Sequence, residues 1–73
     1  MSRASRQYDG HVIHVTSFPL VANKFTVHFD IEEHRGGHID VTHFGSGQSF
    51  VSDAEAMEEG LRMGQQKIES RAR

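Results

Sequence analysis

Apolar and polar residues alternate without a break from Lys24 to Glu32: Phe25, Val27, Phe29 and Ile31 are apolar, while Lys24, Thr26, His28, Asp30 and Glu32 are polar. A period of two puts the four apolar side chains on one face of an extended chain. It predicts a half-buried antiparallel strand from Lys24 to about Glu33. Two shorter alternations flank it. Over His11 to Thr16, Ile13 and Val15 oppose Val12, His14 and Thr16, and over His38 to Phe44, Ile39, Val41 and His43 oppose His38, Asp40, Thr42 and Phe44. Pro19 lacks a ladder N–H, so Ser17 to Asn23 reads as a connection that reverses the chain. His34-Arg35-Gly36-Gly37 is a hairpin signal. If the odd residues carry the apolar face on both strands, the loop holds an odd number of residues, because directly paired residues share a face. An Arg35-Gly36-Gly37 loop then pairs Ile31 with Val41, and a shift of two pairs Ile31 with Ile39.

After the Gly45–Gln48 loop the period becomes helical. Ser52-Asp53-Ala54-Glu55 is a capping-box pattern, and Ala54, Met57, Leu61, Gly64 and Ile68 recur at the spacing of one helix face. Acidic residues lead and basic ones follow, as the helix dipole favours. Gly60 and Gly64 each cost about 0.8–1 kcal/mol relative to alanine. They are expected either to let the helix sit close on the sheet or to make a close helix–helix contact in a dimer. The Ser49-Phe50-Val51 stretch is expected to extend the sheet briefly or to tuck Phe50 under the helix. The fold class is α+β, a three-stranded antiparallel β-meander with one C-terminal α-helix on one face (β-β-β-α). Its expected core is Ile13, Val15, Phe25, Val27, Phe29, Ile31, Ile39 and Val41. Residues 1–7 read as a disordered tail and 8–71 as a single domain.

Length and charge narrow the function classes. A domain of 73 residues buries only about 60% of the surface its unfolded chain exposes, which favours oligomerisation. There is no cysteine, hence no disulfide framework and no thiolate zinc site. Eight basic and ten acidic residues give a formal charge of −2. The basic ones gather at the ends, as Arg3 and Arg6 and as Arg62, Lys67, Arg71 and Arg73. Without a clustered basic face, nucleic-acid binding is not expected. No apolar h-region follows the first residues and Pro19 interrupts the longest apolar run, so neither a signal peptide nor a membrane span is expected. The expected localisation is cytoplasmic.

Six histidines are the unusual chemistry. His11 and His14 are three apart on one strand and point to opposite faces. His14, His28 and His38 fall on the face opposite the apolar one, with Asp30, Asp40 and Thr42 beside them, and are the candidate zinc ligands. The alternatives are a pH-responsive surface, whose full protonation would move the formal charge from −2 to +4 near the unperturbed histidine pKa of about 6.5, and ordinary solvated side chains. Parity places His43 at the core edge. No Ser-His-carboxylate spacing is present, and Gly45-Ser46-Gly47 lacks the Gly-Lys-Ser/Thr of a phosphate loop. An enzyme is not expected.

Tyr8-Asp9-Gly10-His11-Val12-Ile13 at the start, Asp53-Ala54-Glu55-Ala56 opening the helix and Lys67-Ile68-Glu69 closing it resemble small bacterial β-β-β-α proteins, with the HlyU-like family the nearest that can be named. That resemblance implies a bacterial protein linked to transcriptional regulation. His11 stands where that family carries an aromatic or aliphatic residue, and the Arg-Ala-Asp stretch of its pre-helix loop is missing. Double-stranded-RNA-binding domains share the strands-then-helix order but open the final helix with lysines, where this chain has Asp53 and Glu55. Antitoxins of the HicB type are also similar in outline, which suggests protein partners. The expected function is protein–protein contact, with a homodimer as the simplest case. Val12, Phe44 and Phe50 are its expected outer-face interface, and a histidine-based metal or pH sensor is the alternative.

Overall fold

The computed structural model describes residues 1–71; of the basic residues at the C-terminal end, Arg73 lies outside them. The described residues form four strands, a short 3-10 turn (Val21–Asn23) and one α-helix: β1 (Arg3–Tyr8), β2 (His11–Pro19), β3 (Phe25–Arg35), β4 (His38–Gly45) and α1 (Asp53–Arg71). The strands make one antiparallel sheet in the order β1-β2-β3-β4.

The architecture has four strands where three were expected, and the added one is β1, in the stretch read as a tail. Its turn is the Asp9-Gly10 pair, whose φ angles of 49° and 77° suit a two-residue hairpin. The strand escapes pattern reading because Arg3, Ser5 and Gln7 face solvent while Ala4 and Arg6 carry no large apolar group to the covered face. Besides the ladder with β2 and the Tyr8 ring packed against the core, what anchors it is polar. The Ser2 amide donates to Ser17 Oγ (3.1 Å), the Ser2 and Ser17 hydroxyls both donate to the Asp53 carboxylate, and Tyr8 Oη donates to Glu69 at 2.7 Å.

The core lies between the sheet and α1. Ile13, Val15, Val27, Phe29, Ile31, Phe50, Ala56 and Ile68 are buried. Phe50 is tucked in by a backbone bridge to Phe25, which exchanges both hydrogen bonds at 2.9 and 2.7 Å. Ser52 caps the helix, its Oγ accepting from the Glu55 amide at 3.1 Å. The buried helix face is Ala56, Gly60, Gly64 and Ile68, so it is centred away from the expected set, and Ala54 is exposed. Glycine carries no hydrophobic signal, which displaced the apparent stripe towards Met57 and Leu61. Both helix glycines face the sheet, as the close-packing expectation holds. A Cβ on Gly60 would lie 2.7 Å from Val15 Cγ1 and 2.8 Å from Val27 Cγ2, and one on Gly64 would lie 2.7 Å from Ile13 Cγ2.

The β3–β4 hairpin departs from both expected registers. Phe29 pairs with Phe44, Ile31 with Thr42, Glu33 with Asp40 and Arg35 with His38. The turn is Gly36-Gly37 alone, with φ of 47° and 84°, a mirror-image turn that matches strand twist and needs positive φ at both positions. An even loop reverses the parity of β4. Asp40, Thr42 and Phe44 therefore share the helix-facing side, and Ile39, Val41 and His43 turn to the outer face. Phe44 stacks on Phe29 with centroids 5.0 Å apart, and Lys67 Nζ sits 5.2 Å over its ring.

Candidate interaction surface

The outer face of the sheet is a field of histidine–carboxylate pairs. Ser5, His14, Asp30 and His43 form one row across all four strands. The Ser5 hydroxyl lies 2.8 Å from His14 Nδ1, and His14 Nε2 is 3.3 Å from Glu32. His34 Nε2 reaches the other oxygen of Glu32 at 2.6 Å, and His43 Nδ1 reaches Asp30 at 2.6 Å. Hydrogen bonds from His34 and then His14 hold the Glu32 carboxyl below its ordinary range. His28 packs edge-on against Phe18, centroids 5.0 Å apart.

Of the candidate zinc ligands, His14 and His28 share the outer face, but His38 pairs with Arg35 on the opposite side and bonds Asp40 at 3.0 Å within its own strand. The reversed parity of β4 separates the three. Among the described residues no group of three or more histidine, cysteine, aspartate or glutamate side chains is arranged to hold a metal ion. His43, expected at the core edge, is exposed instead. The expected interface trio is divided as well. Val12 stays on the outer face, Phe44 faces the helix, and Phe50 is only 6% exposed. In their place stand two residues assigned to the core: Ile39 is 55% exposed and Val41 47%.

Ile39 and Val41 lie on a free sheet edge, and the ladder shows which backbone groups that edge offers. The Ser46 amide donates to the Val27 carbonyl at 3.1 Å, so Val27 and Ser46 are a hydrogen-bonded pair, and antiparallel pairs alternate between bonded and non-bonded. Phe44, Thr42, Asp40 and His38 then spend their amides and carbonyls on β3. Ile39, Val41 and His43 point theirs away from the sheet. The same alternation on β1 presents Arg3, Ser5 and Gln7. β1 is short, polar and carries arginine, the usual protection of an edge against further pairing. β4 has eight residues, no proline and no lysine, and two exposed β-branched side chains. α1 crosses β2 and β3 and leaves this edge uncovered, reaching β4 through Lys67 and through Arg71, whose guanidinium donates to Thr42 Oγ1 at 3.4 Å.

On the helix-facing side, a cleft of about 570 Å³ opens between the end of α1 and the hairpin, lined by Asp9, His11, Glu33, Arg35, Asp40 and Arg71 among others. Within it Glu33 bonds Arg35 at 2.8 Å and His11 Nε2 at 3.1 Å, and Arg35 holds its carboxyl below the ordinary range. No buried side-chain nitrogen or oxygen among the described residues lacks a partner, and no described helix is long and apolar enough to cross a membrane. Comparison with protein-family models, with curated proteins and with solved structures finds no match.

Proposed function

We propose that this protein is a non-enzymatic interaction module whose contact surface is the free edge of β4. The observation that carries this reading is the combination of unpaired outward backbone groups at Ile39, Val41 and His43 with two exposed apolar side chains on the same strand. A strand added there gains main-chain hydrogen bonds for affinity and side-chain contacts for specificity. A rival catalytic reading would rest on Ser5, His14 and Glu32, which line up as serine, histidine and carboxylate, but Ser5 is exposed on the open outer face, where water is not excluded from its hydroxyl; the buried Ser17 donates to Asp53 and is not held by a histidine. A photo-crosslinking residue in place of Val41, in cells that make the protein, tests the reading against the same residue in place of Gln7 on the β1 edge. Adducts at position 41 and none at position 7 are expected. Equal yields at both positions, or none at 41, contradict it.

A second reading, proton sensing on the outer face, is favoured by the pairing of His14 and His34 with Glu32 and of His43 with Asp30. It predicts that the mass in solution changes between about pH 8 and about pH 5. Identical masses would remove it.

A further inference from the structure

We infer that the strand taken up by β4 is β4 of a second copy, paired antiparallel about a two-fold axis at Val41. This rests on the reading of β4 as the contact edge and adds the partner and the register. Only residues whose backbone groups point outward can exchange edge hydrogen bonds, so Ile39, Val41 and His43 must pair among themselves. That leaves axes at Ile39, Asp40, Val41, Thr42 or His43.

The side chains decide between them. An axis at Asp40 sets two Asp40 carboxylates directly opposite at the close spacing of a non-bonded pair, a destabilising arrangement. An axis at Thr42 sets Asp40 against the Phe44 ring of the second copy and trades the Val41 pairing for Val41 against His43. An axis at Ile39 sets Val41 against the Gly36-Gly37 turn of the second copy, and one at His43 leaves Ile39 without a strand residue opposite it. The axis at Val41 pairs Val41 with itself and Ile39 with His43 on the outer face. On the helix side it places Asp40 opposite Thr42 of the second copy.

Thr42 is the residue that Arg71 bonds. In the dimer the Arg71 guanidinium of each copy therefore meets Asp40 of the other, twice by symmetry. Among the described residues of the single chain, Asp40 pairs with His38 of its own strand. The contact is isologous, as a two-fold interface must be, and the product is one continuous eight-stranded sheet with both helices on one face. β4 ceases to be an edge, which removes the exposure that makes such strands liable to uncontrolled pairing.

Sedimentation equilibrium of the full chain over a concentration series tests both partner and register. The mass is expected to rise from 8.2 kDa towards twice that value. Val41→Pro deletes only an outward amide and is expected to keep the mass of one chain, with an unchanged circular dichroism spectrum. Asp40→Arg faces Arg71 of the second copy and is expected to raise the dimer dissociation constant about tenfold, and the reversal Asp40→Arg with Arg71→Asp to restore it. These two surface variants carry the test if Val41→Pro fails to fold. A single-chain mass at every concentration overturns self-pairing; the crosslinking result at position 41 then decides separately whether the edge takes up another protein. A dimer that ignores Val41→Pro, or that the charge reversal does not restore, overturns the register.

Discussion

Replacing Gly64 with alanine separates helix propensity from packing. At an exposed helix position, glycine to alanine stabilises by about 0.8–1 kcal/mol. Gly64 is buried, and the added methyl would meet Ile13 Cγ2 at 2.7 Å and Cδ1 at 3.2 Å. Ile13 is fully buried and β-branched, so it cannot swing aside as the end of a long side chain can. Forcing a methyl into a close-packed core costs about 1–3 kcal/mol. The propensity gain offsets part of this, leaving a net loss centred on about 1 kcal/mol, or about 4–8 °C in Tm for a domain of this size. Gln66, exposed on the same helix, provides the reference, because Gln66→Ala minus Gln66→Gly gives the propensity term without the contact. Thermal and urea unfolding of the three variants yields the steric cost as a difference. If Gly64→Ala stabilises by as much as the Gln66 reference, the glycines do not set the distance between helix and sheet.

Ser17→Ala removes the acceptor of the Ser2 amide and a donor to Asp53, and denaturant unfolding should show a loss of about 1–3 kcal/mol. The Asp53 carboxyl is held below its ordinary value of 3.8 by hydrogen bonds from Ser17 and then Ser2. Its contribution to stability is therefore complete above that value and lost as pH falls through the lower folded-state pKa. Unfolding measured from about pH 5 to about pH 2 should show that loss, and it should be shallower in Ser17→Ala. Phe44→Ala breaks the stack on Phe29 and should cost about 1–3 kcal/mol; an outer-face Phe44 would cost almost nothing. Gly37→Ala forces a side chain into the left-handed region at φ 84° and should cost about 1–2 kcal/mol by the same assay.

The strand from Phe25 to Arg35, the helix from Asp53 and its Ser52 cap were legible because each has a local signal, alternation in one and a capping pattern in the other. β1 was not, since an edge strand held by Ser2, Ser17, Asp53 and Tyr8 presents no apolar period to detect. The β4 error has a sharper cause. Ile39 and Val41 are apolar, and assigning them to the core made the loop odd, whereas the adjacent Gly36-Gly37 pair is itself the signature of a two-residue turn. Weighing turn chemistry above hydrophobicity would have turned Phe44 inward and His43 outward, separated His38 from His14 and His28, and exposed Ile39 and Val41. The candidate contact surface was thus present in the sequence, but only through the turn. The polar ties of Ser17 to Asp53 and of Arg71 to Thr42 join residues distant along the chain, and no local pattern announces them.

The most direct test is amide hydrogen exchange at Ile39, Val41 and His43, compared at low and high protein concentration. In a single chain these three amides point away from β3 and should exchange as fast as solvent-exposed backbone. Self-pairing through β4 protects all three together as concentration rises, while Arg3, Ser5 and Gln7 on the β1 edge stay unprotected. Fast exchange at all three across the whole range would contradict self-pairing through β4.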